Sequence, residues 1–518
     1  MKTRPAVLTL LALFLCRFPV SAQSPPAPLG EQLREYRQAH EKQIVTEFVN
    51  LLSIPNHAGD PADIERNAQA VSAMLQARGV AVRMLRVPGA SPVVFGELRA
   101  PGATRTIGVY AHYDGQPTDT AQWRHPPFDP VLRDSSGQAV DWRAQAHFDP
   151  NARLYARSTS DDKAPIEATM AALDALRAAH LAPDVNVKFF FEGEEEAGSP
   201  HLAEILEKYP ETLSADAWLL CDGPVHQSGR MQVDYGARGD IDAEMTVYGP
   251  AHPLHSGHYG NWAPNPIVLL THLLDSMRDD DAHILIPGFY DDVRPLTASE
   301  KHMLAETPAA DEQLKQELAI AQPEGDGAKL AAQILKPAIN VRGIQAGHVG
   351  DQAANVISTE ARASLDIRLV PKQTPERVEQ EIEQHIARQG FFIVRQTPDL
   401  ATRRAHAKVI KLEWGPGYPA YRAPVDNPMS KAVVRTIEEA TGGPVIQVVS
   451  LGGSVPMYLF EGKQHTPVIG VPIANADNNQ HAANENLRLQ NLWDGIEIFG
   501  TLFARLGGAR DATGPNRP

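Results

Sequence analysis

Cysteine is nearly absent: the chain of 518 residues has two, Cys16 and Cys221. Cys16 lies in an apolar N-terminal run, so removal of that run leaves Cys221 alone and excludes an internal disulfide framework. An excess of positive charge is absent as well. Lys and Arg number 48 against 63 Asp and Glu, a formal net charge of −15, which argues against nucleic acid as the main partner. Beyond the N-terminus no run is apolar enough to span a bilayer, and the sequence shows neither internal repeats nor a low-complexity block. What is present is ordinary for a globular protein, 43% hydrophobic and 21% charged residues. The length exceeds what one core normally holds, so two domains are expected.

Lys2 and Arg4 precede the apolar run Ala6 to Leu15, and Val20-Ser21-Ala22 offers small residues for cleavage before Gln23. Residues 1–22 are therefore expected to be a signal peptide, with export to a periplasm or to the medium. A retained anchor is the alternative. After cleavage the chain has no expected membrane association, and stability comes from core burial and metal. Gln23 to Leu29 is Pro-rich and reads as a linker.

Glu31 to Leu52, Ala62 to Ala77 and Lys163 to His180 carry apolar residues at helical spacing. Strand-like runs lie at Thr106 to Ala111, Val185 to Phe191 and Ala217 to Cys221, and Asp114 to Tyr155 reads as long loops. The order strand, helix, strand predicts an α/β fold with a mainly parallel sheet. After Tyr235-Gly236-Ala237-Arg238-Gly239 the pattern changes. Ile241 to Tyr248 and Ala361 to Val370 alternate like half-buried strands, while Ile267 to Met277, Ala309 to Leu335 and Pro375 to Arg388 favour helix. α/β character returns with Pro444 to Val449, Pro467 to Ile473 and a closing helix from Leu487 to Leu506. The expected organisation is a catalytic domain (23–240 and 423–506) interrupted by a smaller α+β domain (241–422), with a tail at 507–518.

Acids and imidazoles follow the strand-like runs: His112 and Asp114, Glu195 and Glu196, Asp222, and, after a polar loop, His481. Ligands of open α/β sheets bind beyond the carboxyl ends of the strands. A Glu-rich run is commonly a solvated face, but this one follows the apolar run Val185 to Phe191. Carboxylates at the end of a buried strand repel one another and need a cation or protons. Asp161 before a helix pattern could equally be an N-cap, and His112 a hydrogen-bonded loop histidine. Their joint placement points to a site for two metal ions.

The segments Val109 to Pro117, Ser160-Asp161-Asp162-Lys163, Glu192 to Ser199 and His481 to Asn486 resemble the M20 family of co-catalytic zinc metallopeptidases. Ile284 to Val293 and Asp366 to Pro371 resemble its carnosinase-like dipeptidase branch. The resemblance runs from about residue 40 to residue 505. It implies two divalent ions per subunit, most simply Zn2+, with Mn2+ or Co2+ as alternatives. One ion would be held by His112 and Asp222, the other by Glu196 and His481, with Asp161 between them. Glu195 would be the general base and Asp114 would orient His112. A cis peptide would join Asp161 to Asp162.

The interrupting domain would serve as lid and dimerisation unit of a homodimer. His255, in Leu254-His255-Ser256-Gly257, would reach the partner's active site. Arg368 would bind the substrate carboxylate, and Asn355, Gly453 and Ser454 its backbone; salt-bridge, turn and cap roles are the plain alternatives. The sequence departs from the family pattern at Ala156-Arg157-Ser158, at Ala164, and at Ser450-Leu451, where an arginine is expected. These departures bear on pocket shape and leave the ligands and base in place. The expected activity is hydrolysis of dipeptides or short peptides with a free C-terminal carboxylate. The alternatives are an N-acyl amino acid deacylase and a non-catalytic binding protein on the same scaffold.

Overall fold

The computed structural model describes residues 27–325, 327–462 and 465–508. The segment expected as a signal peptide lies outside these residues, as does the expected tail beyond Gly508. Among the described residues no helix is long and apolar enough to cross a membrane.

The larger core is built on an eight-stranded sheet. At its centre Asn186–Glu192, Thr106–His112, Ala217–Leu220 and Val468–Gly470 lie side by side and parallel. They are buried on both faces, hence their unbroken apolar sequences. Their carboxyl ends therefore open on one edge of the sheet. The margins are not parallel: Val93–Leu98 runs antiparallel to Asn186–Glu192, and Ala81–Leu85 antiparallel to Val93–Leu98. Gln232–Asp234 meets Val468–Gly470 antiparallel and Ile446–Val448 parallel. The expected mainly parallel sheet is thus a mixed sheet with a parallel centre. Close packing across it requires Gly108, where a Cβ would come within 2.2 Å of the Trp218 ring.

Helices Leu29–Leu52, Lys163–Ala178, Pro428–Thr441 and Leu489–Arg505 flank this sheet. The Lys163–Ala178 helix is buried on nearly every side. Asp114 to Tyr155, expected as loops, contains three short strands, Val131–Arg133, Ala139–Val140 and Arg153–Tyr155. They join Asn486–Arg488 in a small antiparallel sheet.

A second hydrophobic cluster lies in a five-stranded sheet of order Ala338–Gln345, Glu360–Leu369, Gly239–Tyr248, Val409–Trp414, Phe392–Val394. Inward residues alternate along Gly239–Tyr248 and Glu360–Leu369, the period of a sheet with one covered face. Helices Pro266–Asp275 and Pro375–Arg388 cover that face with Leu270, Leu273, Val378, Ile382 and Ile386. The chain between these parts behaves differently. Met303 and Leu335 belong to the larger core. The expected helix over Ala309 to Leu335 is reduced to Asp311–Glu317 and Leu330–Gln333, because Pro323, Gly325 and Gly327 interrupt it.

Candidate active site

His112 ends its strand and is fully buried. Its neighbours on either side place Glu192 and the following acidic turn opposite one flank, and Asp222 beyond the other. His112 Nε2 lies 2.8 Å from Asp161 Oδ1. Its Nδ1 stands 3.2 Å from Asp114 Oδ1, out of hydrogen-bond alignment. Asp114 is more firmly tied to the acidic turn, accepting the backbone N–H of Glu195 at 3.2 Å and of Glu196 at 2.9 Å.

Asp161 arrives through a cis peptide to Asp162. The backbone before it is gathered by Glu485, whose carboxylate accepts from the N–H groups of Ser158, Ser160 and Asp161. Arg157 Nη1 pairs with the same carboxylate at 2.8 Å, both residues fully buried. Glu485 belongs to the loop carrying His481, so one residue couples the Asp161 and His481 segments. His481 itself has φ of 60°, a left-handed backbone uncommon outside glycine. That conformation brings its Nε2 within 3.1 Å of Asp161 Oδ2 and 3.3 Å of Glu196 Oε2.

Two overlapping groups of possible ligand atoms result: His112, Glu195 and Asp222, and His112, Asp161 and Glu196, each within 4.8 Å of one another. Burial pushes Glu195 well above the usual carboxylate range, and Asp222 and Glu196 add to it by repulsion. Glu196 is raised to about 7 by burial and by Asp161, and Asp222 to about 6 by the same causes. Burial also acts upward on Asp161, but the His112 and His481 rings outweigh it and hold the group below its usual range. Asp161 Oδ2 and His112 Nδ1 are buried without a hydrogen-bond partner. Clustered carboxylates with orphaned ligand atoms beside two imidazoles are what divalent cations stabilise. The donor set of oxygen and nitrogen fits them. A third acidic group, Asp240, Asp242 and Asp366, is neutralised instead by Arg342 on Asp242 at 2.7 Å and Arg368 on Asp366 at 2.8 Å.

The structure therefore brings together His112, Asp114, Asp161, Glu195, Glu196, Asp222 and His481. Arg368 and Ser454 meet each other, with Arg368 Nη1 donating to Ser454 Oγ at 2.8 Å. Gly453 offers its carbonyl to the Arg238 N–H at 3.2 Å. Tyr418 links the two regions: burial raises its hydroxyl to about 12, and the charges of Glu195 and Arg368 both reach it. His255 and Asn355 stand apart. They are exposed on a two-stranded ribbon, where Ser256 N donates to the Asn355 carbonyl at 2.9 Å. Among the described residues no hydrogen bond or ion pair joins either side chain to the acidic cluster.

Glu485, Arg238 and Tyr418 have no role in the sequence reading. Glu485 carries only the signal of an acid four residues after His481, and the other two follow or precede glycines at the junctions of the second sheet.

A model of peptidase family M20/M25/M40 matches residues 108–505, which contain every member of the cluster. The chain is 25% identical to the Beta-Ala-His dipeptidase of Homo sapiens, over 97% of each chain. It is 26% identical to a Cys-Gly metallodipeptidase of Schizosaccharomyces pombe, over 92% of this chain and 98% of that one. In three dimensions it is similar to an M20 family metallo-carboxypeptidase from Sulfolobus solfataricus, with a TM-score of 0.74 and 26% identity over 90% of this chain and 99% of that one. With the family match spanning most of its length and its whole acidic cluster, the chain belongs to peptidase family M20/M25/M40 and is a metallopeptidase.

Proposed function

We propose that the chain hydrolyses the peptide bond of dipeptides or short peptides that end in a free carboxylate. The observation that carries this reading is the pair of groups of possible ligand atoms that share His112, one of them including Glu195, at the carboxyl ends of the parallel strands. His112 and Asp222 would hold one divalent ion and Glu196 and His481 a second, with Asp161 available to both. When bound, such ions polarise a scissile carbonyl and make water a nucleophile at neutral pH. Glu195, whose backbone is held by Asp114 beside His112 and Asp222, would accept the proton of the attacking water and pass it to the leaving amine. Asp114 holds Glu195 and Glu196 in place through their backbone. The dipeptidase names of the relatives support the same substrate class.

We also infer a homodimer formed through the second sheet. Its edge strand Ala338–Gln345 exposes Val341 and Ile344, and Trp262 and Val349 nearby in sequence to this sheet are 80% and 88% exposed. An unpaired, apolar edge is a surface that a second copy covers by pairing. His255 then completes the partner's site. Export follows from the N-terminal segment, and N-terminal sequencing of the mature protein tests it.

The decisive experiment is a panel of dipeptides, N-acetyl amino acids and N-succinyl amino acids, with metal content measured on the purified protein. Turnover of dipeptides that is lost with chelator and restored by Zn2+, Mn2+ or Co2+ is expected. Turnover confined to the N-acyl substrates would replace the reading with a deacylase, and none at all would overturn the dipeptide substrate class.

A further inference from the structure

The guanidinium expected to capture the substrate carboxylate, that of Arg368, is already committed. Its Nε lies 2.8 Å from Asp366 Oδ1, and its Nη2 donates to Asp366 Oδ2 at 3.3 Å. Arg368 is thus held by one hydrogen bond and one close ion contact to the same carboxylate. Nη1 donates to Ser454 Oγ, and Asp240 Oδ1 stands 3.7 Å from Nε. A second carboxylate at Arg368 alone would meet two acids of its own sign.

Arg238 is in the opposite position. Its backbone N–H donates to the Gly453 carbonyl at 3.2 Å and its Nε to the Gly452 carbonyl at 2.9 Å. Both bonds tie it to the loop that holds Ser454. Among the described residues its terminal amines have no hydrogen-bond partner, and no carboxylate comes within ion-pair distance. Asp366 and Asp240 act on it only at longer range, while burial and the neighbouring Arg368 both disfavour its charge. A partly exposed guanidinium with no carboxylate in ion-pair range is a ready site for an arriving anion.

We propose that Arg238 provides the uncompensated positive charge that binds the C-terminal carboxylate of the peptide, with Arg368 and Ser454 fixing its orientation. The proposal rests on the peptidase reading above and changes which arginine supplies the charge. Arg238 pins the loop just before Ser454 through the Gly452 and Gly453 carbonyls, and it lies close enough to Arg368 for the two charges to repel. Asp366 has a function in this scheme: it holds Arg368 rigid and leaves the net charge to Arg238.

The test compares wild type, Arg238→Met and Arg238→Lys on alanylalanine and on its C-terminal amide. For Arg238→Met, KM for the free dipeptide is expected to rise about tenfold or more, the worth of one charged hydrogen bond. kcat should stay within about twofold, as for lost uniform binding, and the preference for dipeptide over amide should collapse. Arg238→Lys should recover part of it. An unchanged KM and an unchanged preference in Arg238→Met would overturn the proposal. So would a parallel fall in metal content and thermal midpoint, which marks a structural role. Equilibrium binding of alanylalanine and its amide to a Glu195→Gln protein, with and without Arg238→Met, reads the site without turnover. If wild type cleaves neither compound, the peptidase reading fails, while this binding comparison still decides the role of Arg238.

Discussion

The carboxylate of Asp114 grips Glu195 by its backbone N–H at 3.2 Å and Glu196 by its backbone N–H at 2.9 Å. It stands beside His112 as well, at 3.2 Å from Nδ1. One buried acid thereby stands against His112 and positions the backbone of the proposed ligand Glu196 and the proposed base Glu195. Asp114→Asn replaces one acceptor oxygen by a donor facing two donors. Metal affinity or kcat is expected to fall by about 10–100-fold, as for other supporting carboxylates. Metal titration of the chelated protein and steady-state kinetics check it.

Glu195→Gln keeps the size of the side chain and removes its ability to take a proton. kcat should fall by about a hundred- to ten-thousand-fold, the usual contribution of a general base, while bound metal stays at the wild-type level. Turnover close to wild type would remove Glu195 from the role of base.

His255 is exposed, and among the described residues no hydrogen bond or ion pair joins its side chain to the cluster of its own chain. His255→Ala should impair turnover, and so should Glu195→Ala. Mixing the two inactive proteins, with exchange of subunits, should restore activity, because one site of a mixed dimer has both residues. Activity no greater than the sum of the separate variants would exclude action across the dimer.

Glu485 and Arg157 form a fully buried pair at 2.8 Å, and the same carboxylate accepts three backbone N–H groups. Glu485→Gln leaves the Arg157 charge without its partner. Loss of one member of such a pair costs about 3–5 kcal/mol. Urea unfolding should show this loss, together with weaker metal binding, since Asp161 depends on the same carboxylate.

Asp234 is fully buried, with Gln232 donating to one oxygen and no partner on the other. Burial raises it to about 8. The folded-state value lies above the unfolded one near 3.9, so the folded state binds the extra proton between these limits. Its contribution to stability is complete below about pH 4 and is lost as pH rises through about 8. Asp234→Asn should flatten this dependence: relative to wild type, the variant gains thermal midpoint as pH goes from 5 to 8. Identical pH profiles for the two proteins would rule out a protonated Asp234.

Much of the fold was legible because its signals are local. The Pro375–Arg388 helix coincides with its apolar spacing, and the apolar runs before His112, Glu192 and Asp222 end strands as expected. The strands of the small antiparallel sheet were not legible. They are two or three residues long, and Arg153–Tyr155 pairs with Asn486–Arg488 from the far end of the chain. Three residues carry no period, and a partner so distant leaves no mark on the local sequence. Glu485 escaped notice for the same reason, since its donors are at Ser158 to Asp161.

The sequence alone determined that acids and imidazoles stand at the ends of apolar strands, because apolar runs must be buried and the polar residues after them must then lie at the sheet's edge. Only the tertiary structure decided which of them meet. Strand order sets Thr106–His112 between Asn186–Glu192 and Ala217–Leu220, and that order places Glu195 and Asp222 on either side of His112. It also decided the charge balance at the other end of the cleft. Arg368 and Arg238 are equal as letters, but pairing with Asp366 neutralises the first, while among the described residues no carboxylate comes within ion-pair distance of the second. Such balance depends on distances across the fold, to which the order of residues along the chain is blind.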